Sequence, residues 1–296
     1  MNLCRFNSIL SVVMKNVLVP TDFSGNANNA FLHGLKIANQ LDSQLYVLHC
    51  YQTPVLSSSH AGQPDLVSDV YQQIELSKFD FFRRQAPVLR QLAEDNQLDH
   101  SRITFIFEEG TVPQTIKKVV EAEQIKLVVM GTLGATGLQR AIMGSNTVSV
   151  INNTHIPILV IPEQTSFAAI KKVAFTTLFR EKDRTALQEA IRLASYVDAQ
   201  IYVVHIMEEN SSPADILQYS EEWRKSFNNS NLEFIFLEKS GTVEQTLQDF
   251  IAENQIDLLA VVKRNRNFFD RLIRSSLSNN LAFHTTTPVL VFHEER

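Results

Sequence analysis

Short apolar runs alternate along this chain with longer stretches of helical periodicity. Val17-Leu18-Val19, Leu45-Tyr46-Val47-Leu48, Leu127-Val128-Val129-Met130 and Ile158-Leu159-Val160-Ile161 are unbroken runs, without the in–out alternation of a half-solvated sheet. Such runs mark strands buried on both faces of a parallel sheet. The pattern predicts strands at 15–20, 44–50, 103–108, 127–130 and 157–161, with helices near 25–41, 69–97, 111–124 and 144–153. Strands alternating with helices through right-handed crossovers give a doubly wound α/β sheet. Ligands of such sheets sit beyond the carboxyl ends of the strands, where the strand order reverses. Pro20-Thr21-Asp22 ends the first strand and Gly131 to Gly134 follows the fourth, so the two segments share one crevice if those strands are neighbours. The helix over 69–97 carries Phe79, Phe81, Phe82, Val88, Leu89 and Leu92, and packing over the sheet is the expected role. A partner-facing role for its Phe-rich part is the other reading.

The pattern then recurs. Lys15 to His49 aligns with Lys171 to His205 at an offset of 156 without a gap, and 11 of the 35 positions are identical. Gly110-Thr111-Val112 matches Gly241-Thr242-Val243 at an offset of 131, as do Gln124-Ile125 with Gln255-Ile256 and Pro157 with Pro288. The second copy is therefore 25 residues shorter between its second and third strands. A period near half the chain means two copies of one domain and not a solenoid. The expected division is an extension over 1–14, a first domain over 15–163 and a second over 164–296.

Between the fourth strand and the fourth helix of the first copy stand Gly131 and Gly134, then nine residues, then Gly144-Ser145-Asn146-Thr147. A glycine-rich turn brings backbone N–H groups close to a ligand, and the helix start adds a positive dipole end that favours phosphate. Composition narrows the partners. A net charge of −5 over 296 residues argues against general nucleic-acid binding, and no apolar run reaches membrane-spanning length. Two cysteines, Cys4 and Cys50, give no framework of disulfides, so reduced thiols in the cytoplasm are expected. The scattered histidines show no metal-binding spacing, so no metal site is expected.

Together these residues resemble the universal stress protein family, whose hallmark is a glycine, two residues, a glycine, nine residues, then glycine and Ser or Thr. Gly131, Gly134, Gly144 and Ser145 meet that spacing, and Lys15-Asn-Val-Leu-Val-Pro-Thr-Asp-Phe-Ser24 and Gly137-Leu138-Gln139-Arg140 are also similar to the family's segments. The resemblance spans both copies, from Lys15 to Phe292, and so is to a tandem member. It implies two Rossmann-like or flavodoxin-like domains, each a five-stranded parallel sheet of order 3-2-1-4-5. It also implies ATP in the first domain, with Mg²⁺ as an optional companion. On that resemblance Pro20, Thr21 and Asp22 border the adenosine, and Cys50, just past the second strand, meets the adenine through its backbone. Gly131 and Gly134, beside Met130, approach ribose and phosphates, while Gly144, Ser145, Asn146 and Thr147 hold phosphate oxygens. Leu133 departs from the basic or imidazole side chain often found there.

Each residue has a plainer reading as well. The glycine loop could be a tight turn without a ligand. Asp22 could cap the first helix, although Ser24 suits that role and would leave Asp22 for a ligand hydroxyl. His49 and His205 hold equivalent strand ends, which points to a shared structural hydrogen bond. Cys50 reads as a small apolar filler. In the second copy Asp22 becomes Leu178, Gly131 becomes Val262, Gly134 becomes Asn265 and Gly144 becomes Ser275, so that copy is expected to have lost the site. Lys263, Arg264, Arg266, Arg271 and Arg274 crowd there instead, read as a solvated loop or as an anion-binding one.

No Walker A sequence and no Ser-His-Asp arrangement is legible. The leading expectation is an ATP-binding regulator of the stress response in which any hydrolysis is slow and no residue is assigned a catalytic role. A nucleotide-free scaffold, its domains paired within the chain through edge strands near 157–161 and 288–292, is the alternative. An adenine-nucleotide hydrolase is a third reading. Whether two chains join as a homodimer is left open.

Overall fold

A computed structural model of the chain describes residues 16–53, 64–132, 144–165, 169–207, 212–227, 231–263 and 287–293. The chain divides into two compact units, the first holding the described residues up to Thr132 together with Ser145–Thr154, and the second holding Gly144 and those from His155 onward.

The first unit begins with β1 (Asn16–Pro20), α1 (Gly25–Gln40), β2 (Gln44–Tyr51) and α2 (Pro64–Asp95). It continues with β3 (Ile103–Glu109), α3 (Val112–Ala122), β4 (Leu127–Gly131) and α4 (Ser145–Asn153). Its strands are parallel in the order β3-β2-β1-β4. β1 thus lies between β2 and β4, the chain having moved outward to β3 and returned on the other side. That reversal is the switch point of a doubly wound sheet. Burial follows position: Val17, Leu18 and Val19 of β1 and all of Leu127 to Met130 in β4 are buried, while most of the outer strand β3 is half-exposed.

α1 lies over the middle of this sheet through Ala27, Ala30, Phe31, Gly34, Leu35 and Ala38, spaced at three and four residues. Ser24 is its N-cap, accepting from Ala27 N. Close approach needs Gly34, where a β-carbon would come within 2.5 Å of Val19 Cγ2. α2 starts five residues earlier than its periodicity predicts. It buries Phe82, Leu89 and Ala93, but leaves Phe79, Phe81 and Val88 substantially exposed, so its Phe-rich part is only half committed to the sheet.

The second unit opens on β5 (Ile158–Ile161) and then repeats the plan. There follow β6 (Lys172–Thr176), α5 (Glu181–Val197), β7 (Gln200–Met207), α6 (Pro213–Phe227), β8 (Leu232–Glu238), α7 (Val243–Asn254), β9 (Leu258–Lys263) and β10 (Val289–His293). The repeat's own strands run β8-β7-β6-β9-β10, all parallel, which is the order 3-2-1-4-5. β5 adds to β10 antiparallel, with Val160 opposite Val289 and Ile158 opposite Val291. The two strands near 157–161 and 288–292 therefore pair, and the all-parallel arrangement ends there. Of the basic stretch only Lys263 lies within the described residues.

Candidate functional site

Three strand ends build the site, and the first is the exit of β1. Thr21 N–H makes the last bond to the neighbouring strand, at 2.8 Å from Leu48 O. The chain then turns sharply, with Phe23 at φ +63° and its N–H donated back to Thr21 Oγ1 at 2.9 Å. Ser24 N–H is accepted by Asp22 Oδ1 at 3.0 Å, an Asx turn that leads into α1. Asp22 is thus exposed and shapes the turn, while the cap itself is Ser24. Thr21 is buried beneath them.

The second end is that of β2, which runs through Cys50 to Tyr51 and not to a stop before Cys50. In a parallel sheet a residue sends its N–H and C=O to the same side, and successive residues alternate sides. Leu48 faces β1, since its oxygen takes Thr21 N–H, and Tyr51 faces β3, since its oxygen takes Gly110 N–H at 2.8 Å. Cys50 accordingly faces the β1 side. Both groups that would extend the ladder to it are diverted: Phe23 N–H goes to Thr21 Oγ1, and Thr21 O takes His49 Nδ1 at 2.9 Å. The backbone edge of Cys50 therefore looks into the crevice beyond β1. Its side chain points elsewhere, with Sγ 2.7 Å from Thr115 Oγ1. That hydroxyl also lies within hydrogen-bond reach of Thr111 O and Val112 O in α3, at 3.0 and 3.1 Å. Burial pushes the thiol up to about 11 despite the Thr115 bond, which suits a filler and not a nucleophile.

His49 carries the bond that holds this arrangement. Burial lowers its pKa, opposed by the bond to Thr21 and by the nearby Asp22, so the ring is neutral with its proton on Nδ1. Phe23 packs on it with centroids 4.9 Å apart, and Phe82 and Phe107 stack at 6.1 Å. His205 does the same in the second unit, with Nδ1 2.9 Å from Thr177 O. The equivalent histidines are indeed structural.

The third end joins β4 to α4. Met130 is buried and Gly131 closes the strand. A β-carbon at Gly131 would stand 3.1 Å from Asn26 O and 3.3 Å from Asn26 C. The missing side chain at Gly131 therefore admits the first turn of α1, a use of the glycine that the expected ligand approach did not foresee. Thr147 is also turned inward, and its buried hydroxyl donates to Gly131 O at 3.0 Å. This bond ties the first turn of α4 to the end of β4. Ser145 and Asn146, the residues before it, are exposed at the helix start, with Gly144 half-exposed ahead of them. Gly134, Leu133 and Arg140 lie outside the described residues.

The structure thus gathers Pro20, Thr21, Asp22, Cys50, Met130 and Gly131 at the carboxyl edge of β1, β2 and β4, with the first turn of α4 bonded to the same edge. Sequence reasoning missed Asn26 and Thr115, and for His49 it gave a structural hydrogen bond without its acceptor, Thr21 O. Only His49 left a signal, since His and Thr recur together at a spacing of 28 in both repeats. No group of three or more side chains able to hold a metal occurs among the described residues, and none of their helices is long and apolar enough to cross a membrane.

Comparison with known proteins fits this geometry. The universal stress protein family model matches residues 14–162 and again 169–293. Universal stress protein MJ0531 of Methanocaldococcus jannaschii is 30% identical over 148 residues, covering 50% of this chain and 81% of that protein. Universal stress protein MJ0577 of the same organism is 24% identical over 165 residues, covering 53% of this chain and 100% of that one. Among solved structures, a universal stress protein from Archaeoglobus fulgidus has a TM-score of 0.69 at 18% identity, covering 95% of this chain and 99% of its own. One from Pseudomonas aeruginosa reaches 0.57 at 14% identity, covering 96% and 95%. With the family pattern matched twice in succession and both repeats built on the doubly wound sheet, this chain belongs to the universal stress protein family.

Proposed function

We propose that this protein binds ATP, with Mg²⁺ as an optional companion, in its first repeat and works in the cytoplasm as a nucleotide-dependent regulator of the stress response. The repeat over 15–163 carries the site, and the repeat over 164–296 is its degenerate copy. One observation carries the reading: the backbone edge of Cys50 is held open beside the β1/β4 switch point. An adenine edge presents one donor beside one acceptor, which is the complement of that N–H and C=O.

The remaining roles follow from position. Asp22 is exposed at the lip of the crevice, where its carboxylate suits a ribose hydroxyl. The N–H groups at the start of α4, at Ser145, Asn146 and Thr147, suit phosphate oxygens, because the first N–H groups of a helix lack partners within it and its dipole is positive there. Gly144 adds no side chain of its own to that approach. Gly131 and Thr147 support this site from behind, as spacer and tie.

Native mass spectrometry of the purified, undenatured chain tests the reading by showing or lacking a co-purified adenine nucleotide. Calorimetry on the stripped protein is expected to give one ATP per chain. Asp22→Ala and Ser145→Glu are each expected to weaken ATP at least about tenfold, which a lost charged hydrogen bond or an opposing charge at a helix start accounts for. A stripped protein that takes up no adenine nucleotide overturns the reading and leaves the scaffold role.

A further inference from the structure

The turn that leaves the first strand is built twice, with one exchange. Thr21 and Thr177 each donate N–H to the adjacent strand, at 2.8 Å to Leu48 O and 3.0 Å to Val204 O. Each hydroxyl accepts from the second residue on, Phe23 at 2.9 Å and Phe179 at 2.8 Å. Both phenylalanines lie at positive φ, 63° and 56°, and each threonine carbonyl takes a histidine Nδ1 at 2.9 Å. The next N–H is where the copies part. Ser24 N–H goes to Asp22 Oδ1 at 3.0 Å, from within the turn. Its counterpart, Arg180 N–H, goes to Asp183 Oδ2 at 3.4 Å, from the first turn of α5. At the same offset of 156, position 22 is Leu178 in the second repeat and position 183 is Ala27 in the first. The acidic group has moved from the turn to the helix.

Asp183 takes two further donors. The same oxygen accepts the Thr177 hydroxyl at 3.0 Å and Leu178 N–H at 2.9 Å, and the residue is 0% exposed. Three donors converge on it at the start of a 17-residue helix, where negative charge is favoured. Leu178, meanwhile, is 46% exposed and offers nothing polar at the lip.

We infer that Asp183 is an internal replacement for the acidic residue of the turn, and that this exchange decides which repeat takes a ligand. In the second repeat it keeps the turn in shape from inside and withdraws the acid from the crevice. In the first repeat Ala27 leaves that interior place without an acid, so the carboxylate stays at the lip as Asp22. The ligand half of this inference rests on the nucleotide reading above; the exchange itself does not.

Thermal unfolding of the full chain tests the exchange. Asp183→Ala is expected to lower the midpoint of the second unit by about 5–10 °C, because buried donors lose their acceptor. Adding Leu178→Asp is expected to recover at least half of that loss, while Leu178→Asp alone recovers nothing because the place is already filled. Purely additive effects overturn the exchange. Ala27→Asp installs the second repeat's acid in the first, and the midpoint is expected to hold or rise, since the start of a helix accepts it; a fall counts against the inference. Binding of ATP and of uncharged adenosine to that variant is expected to weaken at least about tenfold. Adenosine binding that stays unchanged while ATP weakens is simple charge repulsion and overturns the ligand half. Wild-type protein that takes neither compound overturns the nucleotide reading and the ligand half together, while the Asp183–Leu178 cycle still decides the exchange.

Discussion

His49 Nδ1–H donates to Thr21 O at 2.9 Å, and that bond takes the carbonyl away from Cys50 N–H, its natural partner in a continuing sheet. One side chain thus ends the β1–β2 ladder and leaves a backbone edge for something else. The bond recurs between His205 and Thr177, so it belongs to the fold of the turn, and only the first repeat adds an exposed acid beside it.

Replacing that donor tests the arrangement. His49→Leu is expected to weaken ATP binding several-fold by letting the Thr21 carbonyl swing toward Cys50, and His49→Asn, which keeps a donor at nearly the same place, restores most of it. Isothermal calorimetry of both variants reads this. A pH series adds a second check. The folded pKa of His49 lies below its ordinary 6.5, so the folded state takes up its proton less readily than the unfolded chain. Stability from this group is complete above about 6.5 and falls as pH drops from there through the folded value. The pH dependence of urea unfolding is expected to be shallower in His49→Asn than in the wild type over that window.

The hydroxyl of Thr147 is expected to behave as a tie and not as a phosphate donor. Thr147→Val keeps the shape, strands Gly131 O without its partner, and costs about 1–3 kcal/mol of stability even with no nucleotide present. Thr147→Ser keeps the hydroxyl and most of the stability. Denaturant unfolding of the nucleotide-free protein decides; an unchanged midpoint in the valine variant refutes the tie.

Two glycines are spacers. Gly34→Ala forces a β-carbon to within 2.5 Å of Val19 Cγ2 in the core, and the overpacking costs about 1–3 kcal/mol, more than the better helix propensity returns. Gly131→Val presses on the backbone of Asn26 and is expected to destabilise the nucleotide-free chain, so lost ATP binding in that variant reports damage to α1 as much as damage to a site. Differential scanning calorimetry of each variant checks both statements.

Cys50 is expected to be slow toward alkylating agents. With its thiol raised from 9.0 to about 11, little thiolate forms at pH 8. In a Cys4→Ser background, reaction with iodoacetamide at pH 8 is expected to run well below that of the unfolded chain. Since the folded pKa lies above the unfolded one, this group's contribution to stability is complete below pH 9 and is lost between about 9 and 11. Cys50→Ser is expected to flatten the alkaline limb of the stability curve.

Much of the fold is legible in the apolar runs. The predicted strand at 127–130 is β4, Leu127–Gly131, and that at 44–50 is β2, Gln44–Tyr51, because residues buried on both faces leave a continuous apolar signature. The start of α2 was less legible. Ser57 to Asp65 has a loop's composition, and that hid a helix beginning at Pro64. The use of each glycine was not legible either. Spacing marks Gly131 as a place where something approaches closely, but only the packed structure shows that α1 is what comes near. The resemblance puts Cys50 just past its strand, whereas the ladder to β3 carries the strand through Cys50 to Tyr51.

By itself the sequence determined the two-fold repetition, the doubly wound class and the residues at the strand ends, since these follow from local periodicity and from one copy read against the other. Tertiary structure decided what those residues do. Whether an acid at position 22 caps, shapes or faces a crevice depends on partners brought from elsewhere in the chain. So does the fate of the second repeat's turn, where Asp183 meets Thr177, Leu178 and Arg180 only because α5 folds back over β6 and places its first turn above the strand's end. Hydrogen bonds are directional and short, and a linear pattern does not say which donor will find which acceptor.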